Sequence, residues 1–422
     1  MVCCEPERPG EVPEGECVSA NIAAFEGEFP GGFSAVDHDP FADSPLARVV
    51  ASTESQREVW LADQLSRESS LAYNESVSLR LRGPLDVPAL LGALQALVDR
   101  HDALRATFGS DGKTLCIAEA LTLDITPVAL DGPAPERRNE VVAEALRDEV
   151  NREFDLEHGP LLRARLFSLQ TDDHLLVLTA HHIVCDGWSY GVLVKDLGRL
   201  YACQLGLPVE LAAAVSFTDY ALAQMAREGT PEFTADESYW TALFSTAAPM
   251  LDLPTDRPRR ARRSFASERL DGWVDADLLG QVRKLGARQG ASLFSALLGG
   301  FAATLQRVCG GDEFVIGVPA AGQSQAGFEG VVGHCVNLLP LRIQVDAARP
   351  LTALVAGVQA AMLDAFEHQQ YTFGTLLKRL VLTRDPSRLP LVSVMFNLDQ
   401  ALDTAQAGFP PGTGLCRQPS HP

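Results

Sequence analysis

The chain of 422 residues is predicted to be an α/β (α+β) protein with two lobes. Three observations carry that expectation. Short apolar strand patterns alternate with helical ones from residue 52 to about residue 402. A Pro- and Arg-rich stretch at 250–264 punctuates the series, and a second set of elements follows it. The composition, 46% hydrophobic and 21% charged, is that of a chain with a packed core.

Residues 76–82 place Val77, Leu79 and Leu81 on one face, the period of a half-buried strand. A helix follows with Pro88 in its first turn and a stripe of Leu90, Leu94, Leu97 and Val98. The pattern predicts a helix over 139–154 and a strand in which Leu162, Ala164 and Leu166 alternate with arginines. Residues 174–180 form a nearly continuous apolar run, as in a central strand covered on both faces. The next helix opens near Ser189, with Val194, Leu197 and Tyr201 at helical spacing. Beyond 264, helices are expected at 276–289 and 292–309, stopped by Gly290 and Gly310. Strands are expected at 314–319, 337–345 and 391–397.

The ends differ from this body. Residues 1–44 hold ten acidic residues and one basic one among many Gly and Pro, and read as a disordered acidic leader. A docking segment for a partner protein and a wrongly assigned start both fit that text. Residues 403–422 carry no element pattern and are expected to be irregular. The intervening chain divides into an N-terminal lobe at 45–215 and a C-terminal lobe with bridging segments at 216–402.

With 55 acidic against 35 basic residues the net charge is −20, which argues against a nucleic-acid binder. No run of 18 apolar residues occurs, so no membrane span is expected. The nine cysteines (3, 4, 17, 116, 185, 203, 309, 335 and 416) are scattered without a C-x-x-C pair. That usage suits a reducing, cytoplasmic compartment and no structural zinc. No apolar stretch precedes Cys3 and Cys4, against a lipid-attachment site.

The string richest in chemistry is His181-His182-Ile183-Val184-Cys185-Asp186-Gly187-Trp188-Ser189, in the turn between the central strand and a helix. Histidine exchanges protons near neutral pH, an aspartate four residues on can orient a ring or brace the turn, and glycine admits close backbone approach. Packed, hydrogen-bonded histidines would give the same string. A metal site is disfavoured, because adjacent strand residues point to opposite faces. Neither a G-x-S-x-G elbow nor a phosphate-binding G-x-x-x-x-G-K-[ST] loop is present. The arginines at 257, 259, 260, 262 and 263 read as a solvated loop.

These residues resemble the condensation domain of nonribosomal peptide synthetases, whose H-H-x-x-x-D-G signature stands here as His181, His182, Asp186 and Gly187. Six further stretches resemble the family's other motifs, in family order: 52–60, 100–108, 217–221, 332–342, 368–371 and 384–388. Together they cover 52 to about 398.

The resemblance implies two chloramphenicol acetyltransferase-like lobes in a V, with the active site in a tunnel between them. It implies amide-bond formation: the amine of a carrier-bound aminoacyl group attacks a carrier-bound acyl or peptidyl thioester. Phosphopantetheine arms of donor and acceptor carrier proteins would present both substrates, with adenylation or polyketide synthase modules as neighbours. The chain itself would bind no cofactor and no metal. Catalysis would centre on His182, as general base or as an electrostatic stabiliser, with His181, Asp186 and Gly187. Asp186 would be braced by a buried ion pair with Arg100 or Arg105. Trp188, Ser189 and Asn337 would belong to the tunnel and bridging segments.

Two positions depart from the family pattern. Ala223 stands where a tryptophan is usual, and Cys335 where an aromatic residue is usual. Family members also continue past the 391–397 strand with further strands and a helix, so a truncated or frame-shifted domain of reduced activity is an expectation. Competing readings are a stand-alone acyltransferase of the same superfamily, using a soluble amine, an alcohol or a coenzyme A thioester, and a catalytically weak carrier-binding platform. An epimerase fits the second and fifth motifs less well, and a heterocyclising domain would carry aspartates for the histidines. The donor acyl group, the acceptor amino acid and the oligomeric state are not legible in the sequence.

Overall fold

The structure is a computed structural model that describes residues 45–130, 134–325, 327–382, 385–399, 407–410 and 413–418. The leader, with Cys3, Cys4 and Cys17, lies outside the described residues, as does Arg384. The chain divides into units at 1–39 and 40–422, and every described residue belongs to the second.

The elements run β1 (Leu46–Ala51), α1 (Glu54–Asp63), α2 (Arg67–Leu71), β2 (Asn74–Arg82), α3 (Val87–Arg100), β3 (Ala106–Phe108), β4 (Thr114–Ala118) and β5 (Val128–Ala129). Then come α4 (Pro135–Val150), β6 (Leu162–Gln170), β7 (Asp173–His181), α5 (Gly187–Gln204), α6 (Phe217–Ala226) and α7 (Pro231–Leu243). The series ends with α8 (Ala276–Arg288), α9 (Leu293–Cys309), β8 (Glu313–Ala321), β9 (Val336–Gln344), α10 (Leu351–Glu367), α11 (Phe373–Arg379), β10 (Val394–Met395) and β11 (Gly414–Gln418).

A five-stranded sheet in the order β11-β2-β7-β6-β5 holds the first core. Its central strand β7 is apolar throughout because it is covered twice. Leu176, Leu178 and Ala180 meet α3 and α5, whereas Leu175 and Val177 meet Val141, Val142, Ala145 and Leu146 of α4. A second sheet, β10-β8-β9, is packed by α9 and α10 around Ile316, Leu339, Leu341, Leu298 and Val358. A third, β1-β4-β3, completes the described strands. Among the described helices none is single, long and apolar enough to cross a membrane.

Local signals placed most of these elements. Gly290 and Gly310 lie at φ 66° and 71°, the left-handed region that ends α8 and α9. Helix α4 starts a turn before the predicted residue 139, because Pro135 occupies its first helical position. It ends before residue 154, where the Asn151 side chain donates to the Arg147 carbonyl. The strand predicted over 391–397 shrinks to Val394–Met395, since Leu391 takes φ 63° and bends the chain. Arg257, Arg259, Arg260 and Arg262 lie on an exposed loop.

The tail is a correction to the expectation of irregular chain. Gly414–Gln418 pairs antiparallel with β2, from Gly414 opposite Arg82 to Gln418 opposite Ser78, and shields the edge of the sheet. The approach depends on Gly198 of α5, where a Cβ would stand 1.9 Å from the Ala407 carbonyl oxygen. No strand period marks this segment; the open edge of β2 recruits it.

Helices α1 and α11 meet through Glu58, whose Oε1 accepts the Gly374 N–H at 2.7 Å, and through a Glu54–Lys378 ion pair. Burial lifts the Glu58 carboxyl from 4.5 to about 7, against the opposing pull of the Gly374 N–H. Between those values the folded protein holds a proton that the unfolded chain has released, so this group removes stability as pH rises through that window. We expect Glu58→Gln to flatten the wild-type decline in unfolding free energy between about pH 4.5 and about 7, measured by denaturant titration at stepped pH.

Candidate active site

The turn after β7 is built by hydrogen bonds that its own residues dictate. Gln56, in a capping box with Thr53 at the start of α1, donates through Nε2 to the Ile183 carbonyl. Asp186 is the N-cap of α5, and its Oδ1 accepts the Ser189 backbone N–H at 2.8 Å. The same carboxylate also accepts the Ser189 hydroxyl, the Gln323 amide and the Cys335 backbone N–H at 2.7–3.0 Å. Asp186 is completely buried.

This corrects the expected brace. Asp186 makes no ion pair with Arg100 or Arg105. Arg100 binds Asp196 at 2.7 Å and the Ala212 carbonyl, and Arg105 donates to the carbonyls of Val98, Asp99 and Ala118. The donors that satisfy the carboxylate are neutral: Ser189 supplies two from α5, and Gln323 and Cys335 supply the others from the chain between β8 and β9. Ser189 extends the same seam, since its hydroxyl oxygen accepts the Gly333 N–H at 3.0 Å. Gly333 is required there: a Cβ would stand 2.0 Å from the Phe217 ring.

The two histidines separate. His181 is fully buried; its Nδ1 accepts the Ile183 N–H, which places the ring proton on Nε2, facing Asp63 Oδ1 at 3.4 Å. Burial lowers its pKa, only partly countered by Asp63. The His182 side chain keeps 24% of its exposure. Its Nδ1 lies 2.8 Å from the Cys185 carbonyl oxygen, which can only accept, so Nδ1 carries the proton of the neutral ring. Nε2 is left as a base, and it stands 3.5 Å from Glu75 Oε1.

Other predicted residues frame this pair. Gly187 is exposed, with open space where a Cβ would lie. Trp188 is half-exposed and donates to the Glu329 carbonyl. Asn337 does not touch the histidine turn. Its amide donates to the carbonyls of Gln369 and Tyr371, and its oxygen accepts the Phe373 N–H, fixing the 369–373 segment against β9. Asp102 joins two of the motifs by accepting Ser216, Phe217 and Thr218 at the start of α6.

Sequence reasoning missed Glu75, Gln323 and the position of His334. The His334 ring stands edge-on to His182, centroids 4.8 Å apart, and burial holds its pKa far below the usual histidine range. Glu75 is at the start of β2, and its neighbour Asn74 lies opposite His181 in the β2–β7 register. No sequence signal marked it; its place beside His182 follows from that register. Among the described residues no group of three His, Cys, Asp or Glu converges as metal ligands.

A family model for the condensation domain matches residues 47–409. The chain is 34% identical over 394 residues to one of the linear gramicidin synthase proteins of Brevibacillus parabrevis, covering 91% of this chain and 8% of that protein. It is also 34% identical over 361 residues to surfactin synthase subunit 2 of Bacillus subtilis (strain 168), covering 85% and 10%. The chain thus spans about a tenth or less of the length of these relatives. Its fold is similar to that of the X-domain from teicoplanin biosynthesis (TM-score 0.76, 28% identity, 88% of this chain and 82% of that one). It is also similar in fold to the first condensation domain of the CDA synthetase (TM-score 0.70, 22% identity, 88% and 87%).

The hydrogen-bond pattern around Asp186 predicts two opposite outcomes. Asp186→Asn replaces one acceptor oxygen with an NH2 donor that faces donors, and should cost about 1.5–3 kcal/mol for each charged hydrogen bond lost, visible as a lowered Tm. A double-mutant cycle between positions 100 and 186 should give a coupling below about 0.5 kcal/mol, the value for independent sites.

Proposed function

This chain belongs to the condensation-domain family, and we propose that it forms an amide bond between two carrier-bound substrates. The donor is an acyl or peptidyl thioester and the acceptor an aminoacyl thioester. Each is presented on the phosphopantetheine arm of a carrier protein, with adenylation or polyketide synthase modules as neighbours in the cytoplasm. The observation that carries the reading is the state of His182: partly exposed, with Nδ1–H committed to the Cys185 carbonyl and Nε2 available as a base.

A thioester is already activated, so the protein has little covalent work to do. Holding amine and carbonyl in attack geometry can supply on the order of 7–11 kcal/mol of the barrier reduction. As the C–N bond forms, Nε2 of His182 accepts a proton from the attacking nitrogen. As the C–S bond breaks, that proton goes to the departing thiolate. Asp186 and Ser189 hold the turn, His181 anchors it from below, and Gly187 leaves room beside the ring. Asn337 positions the 369–373 segment.

A carrier-binding platform is the second reading, supported by the likeness to the teicoplanin X-domain, which has also been solved in complex with OxyB. A stand-alone acyltransferase is the third. One assay separates the three: a labelled acyl-carrier donor, an aminoacyl-carrier acceptor and, in parallel, a soluble amine. Transfer to the carrier-bound amine is expected, falling roughly 10²–10⁴-fold in His182→Ala, the usual contribution of a general base. Transfer confined to the soluble amine favours the stand-alone enzyme, binding without transfer favours the platform, and full activity in His182→Ala overturns the assigned role.

A further inference from the structure

The Glu75 carboxylate raises a question that a single catalytic histidine does not answer. Its ion-pair partner among the described residues is His182, with Oε1 to Nε2 at 3.5 Å. The proton of the neutral imidazole is on Nδ1, bound to the Cys185 carbonyl. A neutral His182 and an ionised Glu75 therefore present lone pairs to each other, an arrangement satisfied by a proton, a cation or a hydrogen-bond donor placed between them. Among the described residues no Lys or Arg forms an ion pair with Glu75. The charged and titratable groups that act on Glu75, besides His182, are Asp186 and Asp399, both acidic, and Cys185 and Tyr190, whose ionisation Glu75 opposes. Burial raises the Glu75 pKa, and His182 lowers it. The side chain is one-third exposed, so it can exchange protons with water.

The reaction proposed above involves more than one proton. An α-amino group titrates near 8, so the acceptor arrives mainly as an ammonium ion at neutral pH. That nitrogen begins with three hydrogens and ends, in the amide, with one. Two protons must leave it, and the site offers two acceptors close enough for one nitrogen to hydrogen-bond to both.

Resting on the amide-forming reading, we propose that Glu75 is the second base of this site, the group that receives the acceptor as its ammonium ion. Glu75 takes the first proton and releases it to water. The neutral amine then attacks, the C–N bond forms, and Nε2 of His182 takes the second proton. The C–S bond breaks and that proton leaves with the thiol. Glu75 thereby sets the ionisation state of the acceptor before the chemical step, and it selects for a basic primary amine.

The test compares two acceptors on the same carrier: the aminoacyl group, and an aminooxyacyl analogue whose nitrogen is already neutral near pH 7. With the amine, Glu75→Gln should lower kcat/KM about tenfold near pH 7, because about a tenth of an amine with a pKa near 8 is already neutral there. The rate should climb about tenfold per pH unit towards the amine's own pKa near 8. With the aminooxy acceptor, Glu75→Gln should lose much less than with the amine, whereas His182→Ala should be slow with both. The ratio of the two rates cancels any loss of folded protein, and Glu75→Asp should recover part of the amine rate. Equal loss on both acceptors, or a pH profile parallel to that of wild type, overturns the second base while leaving the role of His182 intact. A wild-type chain that transfers to neither acceptor overturns amide formation itself, and this inference with it.

Discussion

The buried carboxylate of Asp186 is the group around which the site is organised. It lies at the N-terminus of α5, and it is satisfied by Ser189 of that helix, by Gln323 just after β8 and by Cys335 just before β9. An ionised group this deep persists only when nearly every lone pair has a donor. Its demand fixes the first turn of α5 and the β8–β9 connection against each other. His182, four residues before it, inherits a backbone from which Nδ1 reaches the Cys185 carbonyl. The tautomer of the reactive ring is thus decided by a network in which that ring takes no part.

Much of this was legible because it is local. Leu79 and Leu81 alternate in β2, the run at 174–180 is continuous because α3, α5 and α4 cover both faces of β7, and Gly290 and Gly310 end helices through their own φ angles. The string from His181 to Ser189 could be read as a strand end, a turn and a helix cap, and the structure has all three. What failed were pairings between distant parts of the chain. An arginine is the obvious partner for a buried aspartate, yet Arg100 is claimed by Asp196, and the amide donors come from about 140 residues away with no charge to announce them. Glu75 was invisible for a similar reason: its nearness to His182 follows from β2 lying beside β7, an order that periodicity does not contain. β11 shows the limit most plainly, since Gly414–Gln418 becomes a strand only because β2 offers an unpaired edge.

Three imidazoles crowd this corner, and their environments divide the labour. His181 and His334 are buried, and burial lowers the pKa of both; the nearby His182 pushes in the same direction. Two neutral rings therefore line the third. A proton arriving in the cluster has one destination where water can solvate the charge and a carboxylate can balance it, and that is the partly exposed His182 beside Glu75. Placing several titratable groups together would ordinarily smear a proton over all of them. Here differences in burial set the partly exposed His182, proposed above to take a proton from an incoming nitrogen, apart from its two buried neighbours. The same difference explains why two adjacent residues of one motif are not interchangeable. The first is part of the packing that holds the turn, and the second is the group that the packing presents.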